Sequence, residues 1–193
     1  MKNKKTFFII ALVFVLLIGG ATVLYRQLGK NIAAEQLATQ STNQSDESAA
    51  GETEQKIKAP DFTVYDADGN EVHLADYIGK PIVLNFWASW CGPCQSEMPD
   101  FHEKYLELGD DVHFLMINMT DGARETVESA SAFIAKIGYA FPVFYDTKSD
   151  AASIYGAYSL PTTFFIDADG YAIAQATGAI DAETLQRGLD MIK

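Results

Sequence analysis

The chain has 193 residues, room for one ordinary domain and a shorter extra segment, and 48% of them are apolar, enough for a real core. It carries 26 acidic against 14 basic residues, and from Ala59 onward the count is 21 against 7, a balance of −14. That charge excludes nucleic-acid binding, which needs Lys and Arg to neutralise phosphates, and it disfavours docking on anionic lipid; its ordinary role is solubility. Only two cysteines occur, too few for a disulfide-stapled scaffold, so packing must hold this fold and the pair is better explained by chemistry.

Lys2, Lys4 and Lys5 precede an apolar run from Phe7 to Leu24, broken only by Gly19, Gly20 and Thr22. About 20 apolar residues cross a hydrocarbon core as a helix, so residues 1–25 are expected to form an N-terminal signal-anchor helix with its lysines in the cytoplasm. A cleaved signal peptide is the alternative, with Gly19-Gly20-Ala21 as the cleavage site; both export the rest of the chain. No cysteine lies near the end of the run, which excludes a lipoprotein anchor. Residues 26–58 contain much Ser, Thr, Gln, Asn, Glu and Ala, and no aromatic residue. They are expected to be a flexible polar linker with a reach of roughly 30 Å.

The folded domain is expected at 59–193. Phe62–Tyr65, the turn at 66–69 and Glu71–Leu74 read as a β-hairpin. Pro81–Trp87 is a continuous apolar run, the mark of a strand covered on both faces. A helix is predicted from Cys91 to about Leu108, kinked at Pro99, with Phe101, Tyr105, Leu106 and Leu108 as its packed face. Val112–Asn118 is a second central strand, and Arg124–Ile137 has helical spacing in Val127, Ala130, Ile134 and Ile137. Phe141–Tyr145 is a short strand, Ala151–Tyr155 a short helix, and Thr162–Ile166 and Tyr171–Ala174 are strands joined by an Asp-Ala-Asp-Gly turn. The two such turns, at 66–69 and 167–170, are hairpin chemistry rather than calcium loops. A last helix starts after Asp181 as N-cap and places Leu185 and Leu189 on one face. The alternation is that of an α/β fold with a mixed central sheet flanked by helices.

Trp90-Cys91-Gly92-Pro93-Cys94 follows a buried strand and opens a helix. A thiolate is the nucleophile in disulfide exchange, and a helix N-terminus favours that charge with free backbone N–H groups and the positive end of its dipole. Pro93 suits the first turn, where its missing N–H costs little. Cys94, one turn on, can attack a mixed disulfide formed at Cys91. Cys91 is therefore expected to be the exposed nucleophile and Cys94 the shielded resolving thiol. A zinc site would need more ligands, and His73, His102 and His113 lack metal-ligand spacing. A purely structural disulfide across so short a loop would stabilise little. Trp87 reads as core, and Trp90 as the flank of the active surface.

With Ser159-Leu160-Pro161-Thr-Thr-Phe-Phe-Ile-Asp167 added, residues 59–193 resemble the thioredoxin-like fold, and more narrowly the TlpA/ResA-type membrane-anchored thiol–disulfide oxidoreductases. The resemblance includes the N-terminal β-hairpin and a helical insertion around 124–137. It implies a cis Leu160–Pro161 bond facing the cysteines, with Trp90, Gly92, Pro93, Leu160 and Pro161 contacting the substrate chain. It also implies that Asn85 stands where thioredoxin keeps a buried aspartate. Glu97, one turn beyond Cys94, then becomes the proton-handling carboxyl, its pKa raised by partial burial. No cofactor and no metal are implied.

Gly92 and Pro93 match thioredoxin, and no histidine lies between the cysteines as in disulfide-forming oxidants, so a reductant is expected. Its clients would be exported proteins with disulfides, in cytochrome c maturation or in repair of oxidised proteins, and a membrane thiol-electron transporter would recharge it. A disulfide-forming oxidase of the same fold and a non-catalytic binding module are the competing readings.

Overall fold

A computed structural model describes residues 37–39 and 56–193. The expected anchor at 1–25 lies outside them; among the described residues no helix is long and apolar enough to cross a membrane. Nine strands and four α-helices follow one another along this part of the chain. They are β1 (Ala38–Thr39), β2 (Ile57–Lys58), β3 (Thr63–Tyr65), β4 (Glu71–His73), a 3₁₀ turn (Leu74–Tyr77), β5 (Ile82–Trp87), α1 (Gly92–Leu108), β6 (His113–Asn118), α2 (Val127–Ile137), β7 (Val143–Tyr145), α3 (Asp150–Tyr155), β8 (Thr162–Ile166), β9 (Tyr171–Thr177) and α4 (Ala182–Ile192).

The strands form one mixed sheet in the order β1-β9-β8-β5-β6-β7-β3-β4, with β2 also on β9. Strands β5, β6 and β7 run parallel, while β8 is antiparallel to β5 and β9 to β8. Two strands come from the segment expected to be a flexible linker. Ala38–Thr39 pair with Gln175 and Ala174, and Ile57–Lys58 with Ala172 and Tyr171, so both lengths cover the open edge of β9. Backbone hydrogen bonding overrides the polar composition there, and Lys56 adds an ion pair to Asp167 at 2.9 Å.

Alternation along β5 splits the core in two. Val83 and Trp87 pack with Met98, Phe101, Phe114, Phe165, Leu185 and Leu189 under α1 and α4. Ile82, Leu84 and Phe86 pack on the opposite face with Leu74, Leu115, Ile117, Phe144 and Phe164. Every residue of β5 is buried, as the apolar run interrupted only by Asn85 predicts. Asn85 shares the alternation of Val83 and Trp87 and therefore faces α1. Helix α4 lies close on β8 at Gly188, where a methyl group would overlap the Phe165 ring.

Three expectations are corrected. Helix α1 reaches Leu108 with Pro99 inside it, as expected, but Leu106 is 66% exposed rather than part of the packed face, which Phe101 anchors with Tyr105 and Leu108. Helix α2 begins at Val127, not Arg124. Thr126 caps it in a reciprocal pair with Ser129, while Asp121 Oδ1 accepts the Ala123, Arg124 and Glu125 amides and holds those residues in a turn. Strand β9 extends to Thr177, beyond the predicted Ala174, because its far half pairs with β8.

Candidate active site

Cys91 is the N-cap of α1, and it is joined to Cys94 by a disulfide with the Cα atoms 5.3 Å apart. Gly92 and Pro93 form the first turn between them, both exposed. Cys91 Sγ accepts a hydrogen bond from the Cys94 amide at 3.2 Å, so a free backbone donor of the helix start points at this sulfur. Cys94 is fully buried. Cys91 is only 5% exposed, a correction to the expected exposed nucleophile: it is reached through a groove, not from open solvent.

That groove has a volume of about 550 Å³ and is lined by Trp90, Cys91, Gly92, Pro93, Arg124, Tyr158 and Leu160 among others. Trp90 is 41% exposed and Tyr158 83%, so two aromatic rings stand at the groove with little cover. Leu160–Pro161 is cis, as the resemblance implies. Leu160 lines the groove, while Pro161 is buried beneath it, its carbonyl accepting from the Gly178 amide at 2.8 Å.

One turn beyond Cys94 along α1 lies Glu97, only 2% exposed. Its Oε1 accepts from Asn85 Nδ2 at 2.8 Å and its Oε2 from the Ile180 amide at 2.9 Å. Burial pushes the carboxyl up to about 7, against the pull of those two donors. Asn85 Nδ2 also donates to Thr163 Oγ1 at 2.9 Å, across the β5–β8 register, so the amide ties Glu97 to the strand that follows cis-Pro161. An asparagine here supplies donors without a second titrating group.

Another glutamate was not singled out from the sequence. Glu125 is completely buried; its Oε2 accepts from the Ser89 amide at 3.1 Å and from Ser89 Oγ at 2.8 Å. Its Oε1 accepts from Asn118 Nδ2 at 3.3 Å and Ser129 Oγ at 3.4 Å. The loop carrying Trp90 and Cys91 is thereby fastened to β6 and α2. Arg124, beside it, lays its guanidinium 3.5 Å from the centroid of the Trp90 ring. Nothing local in the sequence marks these partners, since Ser89 and Glu125 lie 36 residues apart. Tyr158 was findable, because it directly precedes Ser159-Leu160-Pro161.

Among the described residues no group of His, Cys, Asp or Glu side chains could hold a metal ion. A cysteine capping a helix, a second cysteine one turn on and a buried carboxyl one turn further can exchange disulfides and relay the associated proton.

Residues 56–174 match the model of the AhpC/TSA family. Thiol-disulfide oxidoreductase ResA of Geobacillus kaustophilus is 38% identical over 136 residues, 70% of this chain and 76% of that protein. The Bacillus subtilis protein of the same name is 31% identical over 136 residues, 70% of this chain and 74% of its own. Among solved structures, a putative thiol:disulfide interchange protein DsbE from Chlorobium tepidum superposes with a TM-score of 0.63 at 30% identity, covering 72% of this chain and 97% of that one. Fold, cysteine pair and sequence kinship agree: the chain belongs to the AhpC/TSA family and is a thioredoxin-like thiol–disulfide oxidoreductase of the ResA type.

Proposed function

We propose that this oxidoreductase works as a reductase of disulfides in exported proteins, outside the cytoplasm, with residues 1–25 holding it at the membrane. The observation that carries the reading is the buried Glu97 carboxyl, poised at about 7 one turn beyond Cys94, in a motif with no histidine between the cysteines. In the reduced enzyme the Cys91 thiolate attacks one sulfur of a client disulfide, forming a Cys91–client bond and expelling the other client sulfur, which takes up a proton. Glu97 accepts the proton of the Cys94 thiol, and the Cys94 thiolate attacks the Cys91 sulfur. The second client sulfur leaves as a thiolate and is protonated. Two electrons have passed to the client, and the pair ends as the Cys91–Cys94 disulfide.

Trp90, Gly92, Pro93 and Leu160 form the surface on which the client chain lies, with Leu160 offering its backbone as a strand edge; Pro161, buried beneath the groove, supports that surface from below. A polytopic membrane thiol transporter returns the two electrons, and the anchor keeps donor and acceptor in one plane. Clients in cytochrome c maturation or in repair of oxidised proteins fit this chemistry equally.

Redox titration of the full chain tests the direction. A midpoint close to thioredoxin's, about −270 mV, is expected, and one close to that of a strong oxidant, about −120 mV, would contradict the reading. A Cys94→Ser variant, able to attack but not to resolve, is expected to retain exported clients as mixed disulfides at Cys91.

A further inference from the structure

We propose that Arg124 is a client-recognition residue, whose guanidinium takes a carboxylate that the client carries beside the disulfide under attack. The inference rests on the reductase reading above and adds the chemistry of the preferred client.

The geometry is preorganised. Arg124 lies over the face of Trp90 with its central carbon 3.5 Å from the ring centroid, a contact that uses the charge of the guanidinium rather than its N–H donors. Both partners sit on fixed backbone. Ser89 precedes Trp90 and Glu125 follows Arg124, and the Glu125–Ser89 hydrogen bonds, at 3.1 and 2.8 Å, join the two stretches. Asp121 Oδ1 gathers the amides of residues 123, 124 and 125 at 2.8, 2.8 and 2.9 Å. A cation held this way loses little freedom when it binds, which is what makes a fork–carboxylate pair selective.

Its electrostatic position is equally specific. Among the described residues Arg124 is the one cation lining the groove beside Cys91, and Asp121 the one anion. The Asp121 carboxyl is drawn below its ordinary range chiefly by the Glu125 and Ala123 amides it caps and least by the charge of Arg124, so backbone donors hold it and it engages that cation only weakly. The ion pairs within 4 Å among the described residues, Lys56–Asp167 and Lys104–Glu107, both lie elsewhere. The field of so acidic a domain would turn acidic clients away, but it is screened beyond about 10 Å at moderate salt, so at the groove itself the positive charge of Arg124 is within reach of a client carboxylate.

The test uses the full chain, reduced, and three peptides with an internal disulfide that differ only in the residue before the first cysteine: Glu, Gln or Lys. The expected order of kcat/KM is Glu, then Gln, then Lys, with Glu about fivefold above Gln at low salt and the gap closing at high salt. Arg124→Gln is expected to flatten the order, and Arg124→Lys, which keeps the charge but not the fork, to restore part of it. Because the readout is a ratio among peptides, a general loss of folded protein does not imitate it. Equal rates on all three peptides, or a wild-type order surviving in Arg124→Gln, would overturn the inference and leave the reductase reading intact. Failure to reduce any of them would overturn both.

Discussion

Glu125 and Glu97 are both sealed from solvent, at 0% and 2% exposure, and both bear on the cysteine pair, one through the residue two before Cys91 and the other from three after Cys94. They are held differently. Glu125 meets four donors, Ser89 N, Ser89 Oγ, Asn118 Nδ2 and Ser129 Oγ, drawn from the active-site loop, β6 and α2. Glu97 meets two, Asn85 Nδ2 and the Ile180 amide, and these only partly offset its desolvation. The contrast teaches that burial alone does not decide what a carboxyl does. A glutamate saturated with donors from three elements is a clasp, and one left short of donors becomes a proton store.

The comparison breaks most severely at the clasp. Glu125→Ala strands the buried Asn118 amide and frees the Ser89 loop, and urea unfolding is expected to show a loss of about 3–5 kcal/mol. Glu125→Gln, which keeps the shape and one accepting oxygen but turns the other into an NH2 that faces donors, should lose less than the alanine variant.

At Glu97 the effect depends on pH, and its sign is set by the raised carboxyl. Below its unfolded value of 4.5 the group is protonated in both states and burial carries no charge penalty. As pH rises through about 7 the folded protein must bury the anion, so stability falls across the window from 4.5 to about 7. The shift corresponds to about 3 kcal/mol as an order of magnitude. Unfolding free energies of wild type and Glu97→Gln, measured from pH 4 to 8, should therefore diverge in favour of the variant as pH rises, while its exchange rate falls. The smallest effect belongs to Ser89→Ala. It deletes one of the clasp's four bonds and leaves the amide bond in place, for a cost of about 1 kcal/mol in the same unfolding measurement.

Much of this was legible in the chain. The apolar run of β5 fixed a strand buried on both faces, and a proline and glycine between two cysteines marked the start of α1. Asp181 announced the last helix, where its side chain accepts from the Thr184 amide at 2.8 Å. The cis bond before Pro161 and the raised carboxyl at Glu97 came from resemblance to a family, not from local pattern. What escaped depends on contacts distant in sequence. Ala38–Thr39 and Ile57–Lys58 look like linker because their pairing partner, β9, lies more than a hundred residues away. Arg124 and Glu125 look like the first turn of a helix, and only the Asp121 and Thr126 caps detach them from it and free their side chains for Trp90 and Ser89. Leu106 fits the apolar spacing of α1, yet it is left exposed, with no element among the described residues covering it.

Thiol exchange at this site depends on Glu97 changing its protonation near neutral pH inside the fold. Carbon-13 NMR of a glutamate-labelled full chain, titrated in the oxidised form where neither cysteine ionises, observes that carboxyl directly. A midpoint near 7 that disappears in Glu97→Gln is predicted, whereas a Glu97 midpoint near the ordinary 4.5 would contradict the account.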